Sequence, residues 1–97
     1  MILGILGGMG PESTLDLFGK IIRLTDAKRD QDHLHIIIDN NTQIPDRTEA
    51  IMGIGEDPKV EMIRSAIKLE SMGADYIAIA CNTAHYYYED IVKYTKV

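Results

Sequence analysis

Tryptophan is absent from this 97-residue chain, phenylalanine and cysteine occur once each, and proline occurs three times. One cysteine forbids an internal disulfide and fits a reducing, cytoplasmic compartment. No apolar run approaches the ~20 residues of a membrane-spanning helix. The apolar start, Met1 to Leu6, has no basic residues before it and is broken by Gly4 and followed by Gly7 and Gly8, which argues against a signal peptide. Basic residues are in the minority, 10 Lys and Arg against 15 Asp and Glu, for a formal net charge of −5. Neither nucleic acid nor an anionic membrane is therefore an expected partner. The three histidines, His33, His35 and His85, lack metal-ligand spacing, so no metal site is expected.

What is present reads as one globular domain: 45% of the residues are hydrophobic and 26% charged. A domain of this size buries roughly 60–65% of its unfolded surface, which leaves a modest core.

Met1 to Leu6 (MILGIL) predicts a buried first strand. GGMGPEST follows, in which Pro11 suits the first turn of a helix and Glu12 the positive end of its dipole. Leu15, Phe18 and Ile22, widened by Leu17 and Ile21, form the apolar stripe of a helix from about Pro11 to about Leu24. The charged connection DAKRDQD leads to Leu34–Asn40, where three consecutive isoleucines predict a strand covered on both faces. Residues 41 to 57 read as a long loop with a helical turn near Thr48 to Met52, and loops of that length are often functional. Asp57-Pro58 starts a helix whose apolar face comprises Val60, Ile63 and Ile67 with Met62, Ala66 and Leu69, and Gly73 stops it. Tyr76–Ala80 is the third strand. A last helix is expected from near residues 82 to 84, carrying Tyr86, Tyr87, Ile91 and Val92.

This β-α-β-loop-α-β-α alternation predicts a three-layer α/β/α sandwich with a short parallel sheet. Right-handed crossovers favour strand order 2-1-3. Ligands of such sheets sit at the carboxyl ends of the strands, where the order places residues 7–14, 40–48 and 81–85.

Two readings of Cys81 stand. It is either a small buried hydrophobe or a thiolate favoured by the start of a helix. The polar pair Asn82-Thr83, with neighbouring backbone N–H groups, suits a carboxylate or oxyanion. His85 either couples to the thiol or packs on the helix surface. Gly8-Met9-Gly10 lacks the third glycine of a dinucleotide motif and the Walker lysine pattern is missing, so the glycines make a tight turn that lets backbone approach a small anion. Arg47 is either a solvated surface residue or a two-pronged carboxylate clamp.

Three segments together, GILGGMGPEST at 4–14, NNTQIPDRT at 40–48 and GADYIAIACNTAHYYYEDI at 73–91, resemble the aspartate racemase branch of the aspartate/glutamate racemase superfamily. The resemblance runs over nearly the whole chain. It implies an isomerase that inverts an acidic amino acid without pyridoxal phosphate or any other cofactor, using two cysteines on opposite faces of the substrate. By motif, Cys81 is the first of these, Asn82, Thr83 and Ala84 line the substrate carboxylate, Met9 borders the substrate, and Arg47 grips the side-chain carboxylate. Members have two similar domains, with the second cysteine in the second domain. Residues 1–97 thus read as the N-terminal racemase-like domain, with the second domain absent from this chain and the isolated chain expected to be inactive in racemisation. Members commonly dimerise, so a homo-oligomer is expected. Two other readings remain: a related cysteine-dependent isomerase or decarboxylase, and a domain that only binds a small carboxylate.

Overall fold

The computed structural model describes residues 1–81 and 83–96, and of Thr83 the backbone alone. Three parallel strands, β1 (Ile2–Gly7), β2 (His35–Asn40) and β3 (Tyr76–Ile79), form one sheet in the order β2-β1-β3. This is the expected 2-1-3 order. The helices are α1 (Pro11–Leu24), α2 (Arg47–Ile51), α3 (Lys59–Ser71) and α4 (Tyr88–Val92), with 3₁₀ turns at Asp30–Asp32 and Thr83–Tyr87.

The pleat of β1 assigns the layers, because successive side chains point to opposite faces. A Cβ on Gly4 would meet Leu69 and Ala74, whereas one on Gly7 would collide with Thr14 of α1. Gly4 and Leu6 thus face α3, while Leu3, Ile5 and Gly7 face α1. Through the strand register, Ile37 and Asp39 join the α3 side with Ile77 and Ile79. The main core lies on that side, built from Leu6, Met62, Ala66, Leu69 and Ile91 among others.

Two helices bury less than their apolar pattern suggests. On α3 the buried positions are Met62, Ser65, Ala66 and Leu69, a strict i, i+3, i+4, i+7 stripe, while Val60 and Ile67 face solvent. On α1 only Thr14 is fully buried, and Leu15, Ile22 and Leu24 are exposed. A three-stranded sheet offers too narrow a platform to cover the whole stripe of a 14-residue helix.

The last helix also differs from expectation. It opens as a 3₁₀ helix and becomes α-helical only at Tyr88. Its buried residues explain the switch: Ala84 and Tyr87 are three apart, matching three residues per turn, and Ile91 follows four later. Three consecutive tyrosines, poor helix formers, add to this. Tyr86 and Tyr87 stack edge to face with centroids 5.1 Å apart.

Candidate functional site at the carboxyl ends of the strands

The ladder hydrogen bonds run past the ends of the strands and draw three loops together. The Asn41 N–H donates to the Gly7 carbonyl at 3.1 Å, and the Ala80 N–H donates to the Leu6 carbonyl at 3.1 Å. The glycine loop is held from below by Thr14, whose buried Oγ1 accepts the Gly8 N–H at 2.9 Å and donates to the Gly10 carbonyl at 3.2 Å. Gly8 has φ +94°, and a Cβ there would strike the backbone of Asn41. Glycine is required on both counts. Its absent side chain lets the loops after β1 and β2 touch.

The loop after β2 is fixed to α3 by a polar chain. The Ser65 hydroxyl donates to Asp39 Oδ2 at 2.7 Å and accepts from Asn41 Nδ2 at 3.0 Å, which also reaches Glu61 Oε2 at 3.2 Å. Asn41 Oδ1 in turn accepts the Gln43 N–H at 3.1 Å. Ser65 has no exposed surface. The sequence reading missed Thr14, Asn41 and Ser65 as organisers of this end. The signal for Ser65 was its position between Met62 and Leu69 on the buried stripe, where a hydroxyl demands a partner.

Arg47 opens α2 just after its cap, Asp46, whose side chain accepts the Glu49 N–H at 2.9 Å. Its Nη1 donates to the carbonyls of Ile44 and Pro45 at 3.4 and 3.3 Å. Its Nε is buried with no hydrogen-bond partner among the described residues. Arg47 is half-buried and belongs to no ion pair among the described residues. A buried guanidinium donor without an acceptor is costly.

Cys81 is half-buried two residues past β3. It packs against the core cluster that contains Met9, Ile44, Ala84 and Tyr87. Met9 and Ala84 belong to that cluster and are both buried (5% and 0% exposed), and neither lines the cleft beside the thiol. Arg47 joins the same group through the carbonyl of Ile44. Asn82 lies outside the described residues, and Thr83 contributes the first residue of the 3₁₀ turn. Because that turn is short, few aligned peptides stand behind the thiol, fewer than the continuous helix of the sequence reading would supply.

A cleft of about 370 Å³ opens beside Cys81, bounded by Ser13, Asp16, Leu17 and Lys20 of α1 and by Ile79 and Ala80. Lys20 Nζ lies 2.8 Å from Asp16 Oδ2, and this hydrogen-bonded ammonium holds the Asp16 carboxyl below its usual range. His85 is not in this cleft. It borders a separate hollow along the free edge of β3 with Ile77, Ala78, Ile79 and Tyr88. Burial pushes the Tyr87 phenol above its usual range, with Asp57 adding to the effect, so the ring packs in its neutral form.

No three His, Cys, Asp or Glu side chains gather into a metal-binding group among the described residues, and no helix among them is long and apolar enough to cross a membrane.

Comparison with known proteins finds relatives over most of the chain. Residues 6–97 match the family model described as Asp/Glu/Hydantoin racemase. The broad specificity amino-acid racemase RacX of Bacillus subtilis is 42% identical over 95 residues, covering 93% of this chain and 40% of that protein. The aspartate racemase of Picrophilus torridus superposes with a TM-score of 0.86 at 43% identity, over 92% of this chain and 38% of its own. An aspartate racemase homologue from Pyrococcus horikoshii gives a TM-score of 0.76 at 32% identity, over 98% and 42% respectively. The chain thus spans about two fifths of the length of these relatives.

Proposed function

The chain belongs to the Asp/Glu/hydantoin racemase family, and from that premise we propose that it carries one half of a cofactor-independent racemase site for an acidic amino acid, with Cys81 as an acid/base thiol. The observation that carries this reading is the position of Cys81. The only thiol of the chain sits half-buried at the sheet end that also holds the glycine loop and the loop of Arg47.

In this mechanism the Cys81 thiolate removes the Cα proton of the substrate, and the charge left on carbon spreads into the α-carboxylate. Inversion requires an acid on the opposite face to deliver a second proton. By the family resemblance that acid is a second thiol, and residues 1–97 hold no other cysteine. By the family motif, Arg47 receives the side-chain carboxylate through a two-pronged guanidinium contact. The same family motif assigns Asn82, Thr83 and Ala84 to the substrate carboxylate and Met9 to the border of the substrate. Pyridoxal phosphate takes no part.

One observation favours a second reading. A single thiol cannot serve both faces, which also fits a domain that only binds a small carboxylate, or one that supports another cysteine-dependent isomerisation or decarboxylation.

The test is incubation of the purified chain with L-aspartate in heavy water, followed by proton NMR and chiral chromatography. The proposal expects slow Cα deuteration with retention and no appreciable D-aspartate. Hydroxylamine, which traps pyridoxal phosphate, should leave the exchange unchanged, and Cys81→Ala should abolish it. Binding without exchange supports the binding domain, and loss of carbon dioxide supports the decarboxylase. Rapid inversion by the chain alone would overturn the assignment of Cys81 as half of a pair.

A further inference from the structure

Cys81 shares its cleft with a charged stripe of α1 that the proposed chemistry leaves unused. Ser13, Asp16, Leu17 and Lys20 recur at i, i+3, i+4 and i+7, which puts them on one face of the helix. With Ile79, Ala80 and Cys81 they bound the cleft of about 370 Å³. Asp16 and Lys20 are the charged side chains that line it among the described residues. They are tied to each other, with Lys20 Nζ 2.8 Å from Asp16 Oδ2. The ammonium holds the Asp16 carboxyl below its usual range, so Asp16 is an anion wherever a thiol titrates. The ion pair in turn keeps a flexible lysine at the cleft.

Thiol acidity follows nearby charge: a cation favours the thiolate and an anion opposes it. Other sources of charge around Cys81 are few. The segment after β3 is a five-residue 3₁₀ turn, so little helix dipole stands behind the sulfur. On the core side Cys81 packs against the cluster of Met9, Ile44, Ala84 and Tyr87. Tyr87 is the titratable member, and burial keeps its phenol neutral. Arg47 of α2 reaches that cluster through the Ile44 carbonyl. His85 of the 3₁₀ turn borders the separate hollow along the edge of β3.

We propose that Asp16 and Lys20 are a pair of positioning residues that set the acidity of Cys81: Lys20 favours the thiolate, Asp16 opposes it, and their ion pair holds the two charges in balance within the cleft. A thiol balanced in this way can both give and take a proton near neutral pH, as an acid/base role requires. The purpose of the pair rests on the reading of Cys81 as an acid/base thiol. Its effect on the sulfur is measurable without any substrate. Both side chains are more than half exposed, 57% for Asp16 and 59% for Lys20, so the effect is modest and sensitive to salt.

The experiment is alkylation of the folded 97-residue chain by iodoacetamide, with rates from pH 6 to 10 giving the thiol pKa and circular dichroism verifying the fold. Cys81 is the sole thiol, so the signal has one source. Lys20→Met should raise the thiol pKa by about half a pH unit, a roughly threefold fall in the thiolate-to-thiol ratio. Asp16→Asn keeps an acceptor for the Lys20 ammonium but removes the charge, and should lower the pKa by a similar amount. The double variant should return to the parent value, and 1 M salt should shrink both shifts. Lys68→Met removes the same charge from α3, on the other face of the sheet, and should leave the pKa in place. Shifts of the same sign for Lys20→Met and Asp16→Asn, no shift in either, or an equal effect of Lys68→Met would overturn the proposal. Deuteration of aspartate at Cα in heavy water, read on the same proteins, separates this inference from the reading it rests on. Opposite pKa shifts with no exchange dependent on Cys81 would support the electrostatic control and overturn only the acid/base reading. Exchange that depends on Cys81, with a pKa indifferent to both substitutions, would overturn the control alone.

Discussion

Ser65, in the middle of α3, donates its hydroxyl to Asp39 near the end of β2 at 2.7 Å and accepts from Asn41 two residues further along. This single buried hydroxyl joins the core helix to the loop that leads to Arg47. Ser65→Ala leaves the Asp39 carboxylate and one Asn41 donor short of a partner inside the protein. The expected cost is about 1–3 kcal/mol of unfolding free energy, measured by urea titration. Amide exchange in residues 41–47 should quicken in the same variant, whereas a loop held by other contacts would not respond.

Two glycines with positive φ provide a matched pair. Gly8 (φ +94°) abuts the backbone of Asn41, while a Cβ on Gly53 (φ +78°) would meet nothing within 4 Å. Gly53→Ala should cost only the left-handed backbone term, about 1–2 kcal/mol. Gly8→Ala adds a collision with main chain and should lower the thermal midpoint much further. Equal shifts for the two would mean that the loops after β1 and β2 do not pack as described.

Arg47→Lys tests the clamp. Lysine keeps the charge but offers no planar fork and no Nε. Aspartate affinity should fall by about 1–3 kcal/mol, in the range of a charge-assisted hydrogen bond. Isothermal titration calorimetry gives the value, and an unchanged dissociation constant would return Arg47 to the role of a loop-bracing residue that holds only the carbonyls of Ile44 and Pro45.

Alkaline stability should depend on Tyr87. Burial raises its phenol pKa in the folded state, so the unfolded chain loses that proton first. The contribution is fully present below the unfolded value near 10. It is lost as the pH climbs from there through the folded value, so unfolding free energy declines in that window. Tyr87→Phe should flatten this decline without altering the profile near neutrality. Thermal melts in steps from pH 8 to 11 would show it.

Much of this architecture was legible in local patterns. Glycine after an apolar run, proline at the first helical position and three consecutive isoleucines specified β1, α1 and β2 almost to the residue, although β2 is an edge strand whose isoleucines are half-buried rather than covered on both faces. The motifs at 4–14, 40–48 and 73–91 carried the family resemblance, and parallel topology then required all three to meet at one end of the sheet. Other features depended on distant partners. Leu15 and Ile22 look like core residues by periodicity, yet a narrow sheet leaves them in solvent. The three-residue spacing of Ala84 and Tyr87 became a 3₁₀ turn only because both had to reach the same core. The sequence by itself determined which elements form and where their chemistry-bearing loops emerge, since both follow from near neighbours along the chain. Only the tertiary structure decided which face of each helix is covered and which polar atoms are left without a partner. It thereby singled out Ser65 and the Nε of Arg47, because burial and hydrogen bonding are settled by residues far away along the chain.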